Sequence, residues 1–308
     1  MTLRPASLAE LSRQLAEHPT ARHPVAAVDL AALAAIRDYT PEDMTVTAEG
    51  GLTLAALQTT LAARGQWLPI DPPHPERVTV RQLLADNLFG PRRCGFGTIR
   101  EHLIGLEAVL ADGRVTHSGG KVVKNVAGYD LLRLFVGARD SLGIITAATF
   151  KLRPLPEQEL VLTAQFPTLT AAWTAVAALL DSPITPVALD LHNLVPGRFT
   201  VVLTLAGTRT EVEWQRTRAG DFQSPPSALD HEQSFWSNTS PVLTESILPT
   251  KLCEALASLG SLPFLARAAN GIIHHRGQPP PKPAVPLALS RRLKDTFDPH
   301  HILPEAPL

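Results

Sequence analysis

The stretch Gly119-Gly-Lys-Val-Val-Lys-Asn-Val-Ala-Gly-Tyr-Asp130, followed by Gly137 and Gly143, is the part of the sequence that decides the fold. Its glycines stand near the ends of predicted strands. There, a residue without a Cβ lets the backbone approach a flat ligand and present N–H groups to it. Glycine signals are weakly specific, so tight turns alone are the alternative interpretation. The surrounding sequence is needed to decide between a ligand-binding loop and tight turns alone.

The composition is that of a globular protein with two domains. The chain has 308 residues, of which 44% are hydrophobic and 19% charged, and it is too long for one ordinary core. The net charge of -1 argues against nucleic-acid binding, because phosphate contacts require a basic excess. No apolar run approaches the roughly 18 residues of a membrane span. We therefore expect a cytoplasmic location, with any contact to the inner face of the membrane made through partners.

The cysteines and histidines predict no metal site. Cys94 and Cys253 form no C-x-x-C, so this chain alone builds neither a zinc ribbon nor an iron–sulfur cluster. Adjacent His274 and His275 point to opposite faces of a strand, which disfavours a shared metal ion. We expect Cys94 to be a packing residue. The sequence shows no Ser-His-Asp order and no carboxylate pair typical of a catalytic site, so the catalytic residues are unknown.

Helical and alternating patterns predict the elements of the first half. Ser7-x-x-Glu10 is a capping-box pattern at the start of a helix. Residues 44–48 alternate as a strand, and Thr53 is the expected N-cap of a helix that Gly65 ends. The runs on either side of Asp112-Gly113 predict a hairpin. Residues 144–152 are a further strand.

A proline-rich interruption at residues 153–157 predicts a boundary between domains 1–156 and 157–308. Strands and helices mix beyond it without a strict β-α-β rhythm, which predicts an α+β fold. Gly95-Phe-Gly97-Thr98 lacks the third glycine of a Rossmann fingerprint, and Gly119-Gly120-Lys121 lacks the spacing of a P-loop. The strands expected in the second half are 160–166, 187–191, 199–205 and 268–274, and the helices are 169–180, 252–259 and 289–297.

Residues 119–130, with Lys151-Leu-Arg-Pro-Leu-Pro156 downstream, resemble the FAD-linked oxidases of the vanillyl-alcohol-oxidase (PCMH-type) fold. Among these, the sequence is most similar to the FAD-binding E subunits of glycolate oxidase. Two further landmarks stand in the expected order, at residues 39–51 and 65–73, and Phe297-Asp-Pro299 matches the C-terminal signature. The resemblance implies a two-subdomain PCMH-type FAD-binding domain, followed by an α+β substrate or cap domain whose tail returns to the first.

The resemblance also implies how FAD is held. Binding would be non-covalent, because the loop that usually carries the linking histidine is missing. The implied cofactor-binding residues are Pro72, Thr79, Asn87, Gly90, Gly97, Thr98, Gly119, Gly120, Gly128, Gly143, Ile144 and Ile145.

Four segments depart from the family pattern. Residues 18–28, where the family has a glycine-rich diphosphate loop, contain no glycine. Arg81-Gln82 replaces a glycine pair, and Gly137-Ala-Arg-Asp-Ser-Leu-Gly143 stands where the family has Gly-Ser-x-Gly-Thr-Leu-Gly. Pro304-Glu-Ala306 replaces Asn-Pro-Gly. Arg81 either blocks the cofactor or supplies a charge in place of the lost backbone donors.

The resemblance implies an FAD-binding subunit of a glycolate oxidase (glycolate dehydrogenase) complex that oxidises a 2-hydroxy acid. A catalytic flavin subunit and an iron–sulfur subunit would be its partners, and the chain is expected to be inactive alone. The alternative is a flavin-free structural subunit of the same complex that has lost the cofactor loops. The retained residues 119–130 favour the first interpretation, and the missing glycines favour the second.

Overall fold

The computed structural model describes residues 2–18, 24–120, 131–224, 230–278 and 287–305. The strands are β1 (Thr2–Leu3), β2 (Ala27–Val28), β3 (Ile36–Thr40), β4 (Thr45–Glu49), β5 (Gln66–Trp67), β6 (Leu103–Val109), β7 (Val115–Gly119), β8 (Ile144–Lys151), β9 (Arg153–Pro154), β10 (Gln158–Phe166), β11 (Ala188–His192), β12 (Phe199–Gly207), β13 (Leu243–Ser246), β14 (Phe264–Arg267) and β15 (Ile272–His275). The helices are α1 (Leu8–Ala16), α2 (Leu54–Ala62), α3 (Val80–Ala85), α4 (Arg93–Phe96), α5 (Ile99–His102), α6 (Leu131–Phe135), α7 (Leu169–Leu180), α8 (Arg209–Arg216), α9 (Asp230–Trp236), α10 (Leu252–Ser258) and α11 (Leu287–Phe297).

The chain divides into two units. The first contains Met1–Phe89, Thr98–Leu155 and Pro283–Leu308, and the second contains Gly90–Gly97 and Pro156–Lys282. The proline-rich segment at residues 153–157 thus contains one of the points where the chain passes between the units, and the C-terminal segment belongs to the first.

The first unit is built on a five-stranded antiparallel sheet with the order β3-β4-β8-β6-β7. Val46 and Ala48 alternate along β4 and enter its core, together with leucines of α2 and α3. The predicted capping residue is confirmed, since the Thr53 hydroxyl accepts a hydrogen bond from the Ala56 N–H at 3.3 Å. The predicted hairpin is also confirmed, because β6 and β7 pair across the Asp112-Gly113 turn.

A second, smaller cluster completes the first unit. The parallel pair β1 and β2 packs with α1, whose buried side chains are Leu11 and Leu15. Ile302 and Leu303, near the end of the chain, are buried in the same cluster. Half of the predicted capping box is present: Ser7 accepts from the Glu10 N–H at 3.2 Å, and the Glu10 carboxylate accepts from the Ala6 N–H at 2.8 Å.

The second unit is a six-stranded antiparallel sheet with the order β10-β12-β11-β14-β15-β13. Residues of α7, α8 and α10 fill its core. Mixed strands and helices in both units confirm the predicted α+β class. Within the described residues, no helix combines the length and the apolar composition that crossing a membrane demands.

The predicted strand at residues 268–274 is wrong. Gly271 adopts a φ of 66°, and Asn270 donates its N–H to the Arg267 carbonyl at 3.0 Å, so the chain turns at this point. A left-handed glycine favours a turn over a continuous strand. The result is the hairpin of β14 and β15.

Candidate functional site

Three glycines, Gly105, Gly119 and Gly120, form what we call the glycine edge, at the ends of β6 and β7. Gly105 and Gly119 are partners in the strand register. A Cβ on Gly119 would lie 2.1 Å from the Ile104 carbonyl oxygen, and its φ of 71° is left-handed. Gly120 donates its N–H to the same oxygen at 2.8 Å, and no atom of the described residues lies within 4 Å of where its Cβ would stand. Position 119 therefore requires glycine, and position 120 leaves the backbone accessible.

Two segments predicted to meet the cofactor are held at opposite ends of α3. Thr79 caps the start of the helix, where its hydroxyl accepts from the Gln82 N–H at 3.3 Å. The loop after α6 is fixed at the other end, because Gly137 donates its N–H to the Leu84 carbonyl at 2.9 Å. Asn87, at a φ of 50°, lies next to Gly137. Both segments are thus anchored to the same short helix.

The same loop leads into β8 through Gly143, Ile144 and Ile145. A Cβ on Gly143 would stand 3.0 Å from the Val109 carbonyl oxygen, which explains the glycine by packing. Ile144 and Ile145 are buried. All three residues therefore have structural reasons for their identity, and Ile144 also faces the cavity described next.

A cavity of about 300 Å³ lies in the first unit, and we call it the arginine cavity. Each of the four segments that depart from the family pattern contributes to its wall. Two arginines and two aspartates line it, so its formal charges cancel. The lining residues are Val25, Ala26, Ala27, Val28, Arg81, Gln82, Ala85, Asp86, Arg139, Asp140, Ile144 and Pro304.

Arg81 and Asp140 form an ion pair in the wall of the arginine cavity. Nη1 of Arg81 contacts the Asp140 carboxylate, and Nη2 donates to the Val28 carbonyl at 2.8 Å. Both side chains are 14% exposed. Burial raises the pKa of Asp140 to about 6, against the opposing effect of Arg81. Oδ1 of Asp140 is buried without a hydrogen-bond partner among the described residues.

The backbone at Arg139 and Asp140 keeps a conformation suited to glycine. Their φ angles are 49° and 61°, in the left-handed region where a Cβ costs roughly 1–2 kcal/mol. The family motif has glycine at position 140, and this chain has aspartate in its place. At position 140 the loop thus combines a left-handed backbone with a charged side chain.

Lys294 joins this loop to the C-terminal segment. Its buried ammonium group donates to the Ser141 carbonyl at 3.1 Å and to the Pro304 carbonyl at 2.8 Å. Its counter-ion is Asp298, at 2.6 Å, which also accepts from the Leu303 N–H at 2.8 Å. The Lys294 ammonium group thus connects the segment that contains Pro304 to the loop that carries Asp140.

The remaining predicted site residues are dispersed. Pro72 is buried in the first unit and does not line the arginine cavity. Thr98 caps α5 through its N–H, which donates to Glu101 at 3.1 Å. Gly90 and Gly97 belong to the second unit. Residues 121–130, with Gly128, lie outside the described residues.

The second unit contains a buried cluster of charged groups. Ligand-type atoms of Asp190, His231 and Glu232 lie within 4.8 Å of one another. The guanidinium group of Arg267 stands among them, 2.9 Å from the Asp190 carboxylate and in contact with Glu232. Although burial opposes it, Arg267 holds the pKa of Asp190 below its usual range. The arginine thus supplies the positive charge that the two carboxylates require.

The adjacent histidines of β15 have separate partners, as strand alternation predicts. Nδ1 of His274 lies 2.9 Å from the Thr244 hydroxyl, and Nε2 of His275 lies 2.6 Å from Glu245. Burial lowers the pKa of His274 to about 3, so that it is neutral at physiological pH. Cys94 is half-buried, and burial raises its thiol pKa to about 11, which agrees with a packing role.

Comparison of the sequence with known proteins finds a matching FAD-binding family and relatives among glycolate oxidase subunits and D-lactate dehydrogenases. Residues 8–119 match the family described as FAD binding domain. The chain is 36% identical over 155 residues to glycolate oxidase subunit GlcD of Bacillus subtilis, covering 50% of this chain and 33% of that protein. It is 39% identical over 128 residues to glycolate oxidase subunit GlcE of Escherichia coli, covering 41% and 37%. It is 43% identical over 121 residues to a D-lactate dehydrogenase of Archaeoglobus fulgidus, covering 39% and 27%. The matches thus span about a third of each relative.

Solved structures show the same fold over more of the chain. Alkyldihydroxyacetonephosphate synthase superposes with a TM-score of 0.72 at 18% identity, over 98% of this chain and 75% of that one. At this identity the likeness establishes the fold alone. Together, the family match and the relatives support an FAD-linked oxidase with FAD as its cofactor, and the solved structures show the fold.

Proposed function

We propose that this chain is the FAD-binding subunit of a glycolate oxidase (glycolate dehydrogenase) complex that oxidises a 2-hydroxy acid. Glycolate oxidase subunits and D-lactate dehydrogenases are the relatives that support this substrate class. The observation that carries the proposal is structural. The unit that matches the FAD-binding family keeps the glycine edge, where Gly120 leaves the backbone open, and contains a cavity lined by arginines.

The residues of this chain would bind and orient the cofactor. Bound FAD would supply a hydride acceptor for the carbon that carries the substrate hydroxyl. The backbone of the glycine edge suits a flat group, because no atom of the described residues lies within 4 Å of the Cβ position of Gly120. In the arginine cavity, Arg81 and Arg139 are the groups that could bind a small anion, in competition with the carboxylates of Asp140 and Asp86. We propose that the binding is non-covalent.

The partners proposed for this subunit are a catalytic flavin subunit and an iron–sulfur subunit. Electrons that leave a flavin require an acceptor, and two cysteines cannot supply the four thiolates of an iron–sulfur cluster. We therefore propose that the isolated chain does not turn over its substrate. We further propose a cytoplasmic location, with contact to the inner face of the membrane made through these partners.

One observation favours a second candidate, a flavin-free structural subunit of the same complex. All four segments that depart from the family pattern meet at the arginine cavity, and the charge of Arg81 is already neutralised by Asp140. A chain that no longer bound FAD would be free to fill this cavity. The visible spectrum separates the candidates, because the first protein is yellow when loaded with FAD and the second remains colourless.

The subunit role is tested by dye reduction with glycolate and with D-lactate. The isolated chain is loaded with FAD, its flavin content is measured, and turnover is followed. We expect flavin to be present and no substrate-dependent reduction. Turnover at an ordinary rate, on the order of 1–1000 per second, would show that the chain is a complete enzyme and would contradict the subunit role.

A further inference from the structure

The charged groups in the wall of the arginine cavity form two ion pairs, and a third pair contacts the loop that carries Asp140. Arg81 reaches in from α3 and Asp140 from the loop after α6, and these two groups are in direct contact. Asp86, at the end of α3, stands 3.9 Å from Arg139, and both of these side chains are largely exposed. The Lys294–Asp298 pair approaches from α11 and contacts the loop through the Ser141 carbonyl. Of the two arginines in this wall, Arg81 is the one whose side chain is mostly shielded, at 14% exposed, against 62% for Arg139.

Apart from its ion pair with Arg81, Asp140 gains no stabilising interaction from its position among the described residues. Its backbone is left-handed, which aspartate tolerates at a cost, and Oδ1 has no hydrogen-bond partner among the described residues. A buried carboxylate oxygen without a partner is unfavourable. The ion pair with Arg81 is therefore the structural reason for an aspartate at position 140. A buried guanidinium without a counter-ion would be strongly destabilising.

We propose that Arg81 is the counter-ion of the FAD diphosphate in this chain, and that Asp140 holds Arg81 in the cavity until the diphosphate takes its place. This inference rests on the proposed function and deepens it. Arg81 stands where the family has a glycine, so the site exchanges backbone N–H donors for a guanidinium. A guanidinium binds phosphate oxygens through two parallel hydrogen bonds, which a carboxylate also accepts. The diphosphate and Asp140 thus compete for the same donors.

The exchange is linked to one proton. The diphosphate diester carries two negative charges throughout the physiological range, and it would lie against the Asp140 carboxylate. Like charges this close cannot both persist in a buried site, so binding transfers a proton from solvent to Asp140. Free Asp140 titrates at about pH 6. The affinity for FAD then falls about tenfold for each pH unit above 6 and levels off below it.

The test is the FAD dissociation constant of the full chain between about pH 5.5 and pH 8.5, followed by the quenching of flavin fluorescence. For the wild-type chain we expect binding to weaken about 100-fold over the two units above pH 6.5. Asp140→Asn should bind as tightly at pH 8 as at pH 6. Arg81→Gln should bind at least tenfold more weakly than the wild type at pH 6, because a charge-assisted contact is lost.

Two controls isolate the diphosphate. Riboflavin lacks phosphates, so its affinity should not follow pH in any variant. Glu159→Gln removes the carboxylate of a comparable ion pair with Arg92 in the second unit and should keep the wild-type profile. Asp140→Gly serves if Asp140→Asn folds poorly, because glycine suits the φ of 61°. It should likewise remove the pH dependence.

Two results would overturn the inference in different ways. If FAD binds equally at every pH and Arg81→Gln binds as the wild type does, Arg81 is no ligand, while the FAD-binding subunit stands. If folded wild-type chain and both Asp140 variants bind no FAD at any pH, the proposed function itself fails, and this inference fails with it.

Discussion

At Gly119 of the glycine edge the backbone itself leaves no room for a side chain, whereas the wall of the arginine cavity carries charged side chains at positions 81 and 140, where the family pattern has glycine. Gly119 is forced by a carbonyl oxygen 2.1 Å from where its Cβ would stand. Asp140 occupies a left-handed position, and its side chain pairs with Arg81. Contact with the backbone fixes glycine at position 119, whereas the left-handed backbone at position 140 accommodates an aspartate. The following changes probe this difference, from the largest expected effect to the smallest.

Asp298→Asn should cost the most, because it leaves the ammonium group of Lys294 buried without a counter-ion. Their side chains are 3% and 0% exposed, and breaking such a pair costs about 3–5 kcal/mol. Denaturant unfolding measures the change. Asp295→Asn is the matched control on the preceding helical turn, since Asp295 is exposed and should cost less than about 1 kcal/mol. Equal costs would show that the cavity wall does not depend on this buried pair.

Gly119→Ala should lower the free energy of unfolding by about 3 kcal/mol, from left-handed strain together with overpacking against Ile104. Gly65→Ala is the control, because its φ of 65° is similar and nothing lies within 4 Å of its Cβ position. That variant should lose only about 1 kcal/mol. If both variants lose the same amount, contact with the backbone is not what fixes glycine at the edge.

Arg139→Gly should stabilise the chain by about 1 kcal/mol, because glycine relieves the left-handed strain at a φ of 49°. Little is lost, since the contact with Asp86 is long, at 3.9 Å, and exposed. Arg139→Ala removes the same side chain but keeps the Cβ, so it should show no gain. A gain in the alanine variant as well would place the effect in the charge rather than in the backbone.

Local chemistry made much of the fold predictable from the sequence. Ser7 and Thr53 cap their helices as expected, and Asp112-Gly113 turns the β6–β7 hairpin, because each signal acts over a few residues. The turn at Gly271 was missed because the apolar residues on either side continue the pattern of a single strand. A glycine within a strand pattern was the available signal.

The candidate site was predictable only in part. Four departures at one ligand pointed to a shared change, and all four line the arginine cavity. The ion pair itself was missed, because Arg81 and Asp140 are 59 residues apart and no local pattern joins them. Opposite charges at two positions where glycine is expected were the signal that would have found it. The buried Lys294–Asp298 pair was missed too, although its i,i+4 spacing was visible.

The central claim is that this chain binds FAD non-covalently in its first unit despite the altered cavity. The most direct test is the visible spectrum of the purified chain after equilibration with FAD at a pH of about 6, where Asp140 is partly protonated, and removal of free flavin. We predict a yellow protein whose flavin passes entirely into the supernatant on acid precipitation. A folded protein that remains colourless, or a flavin that stays with the denatured chain, would contradict this account.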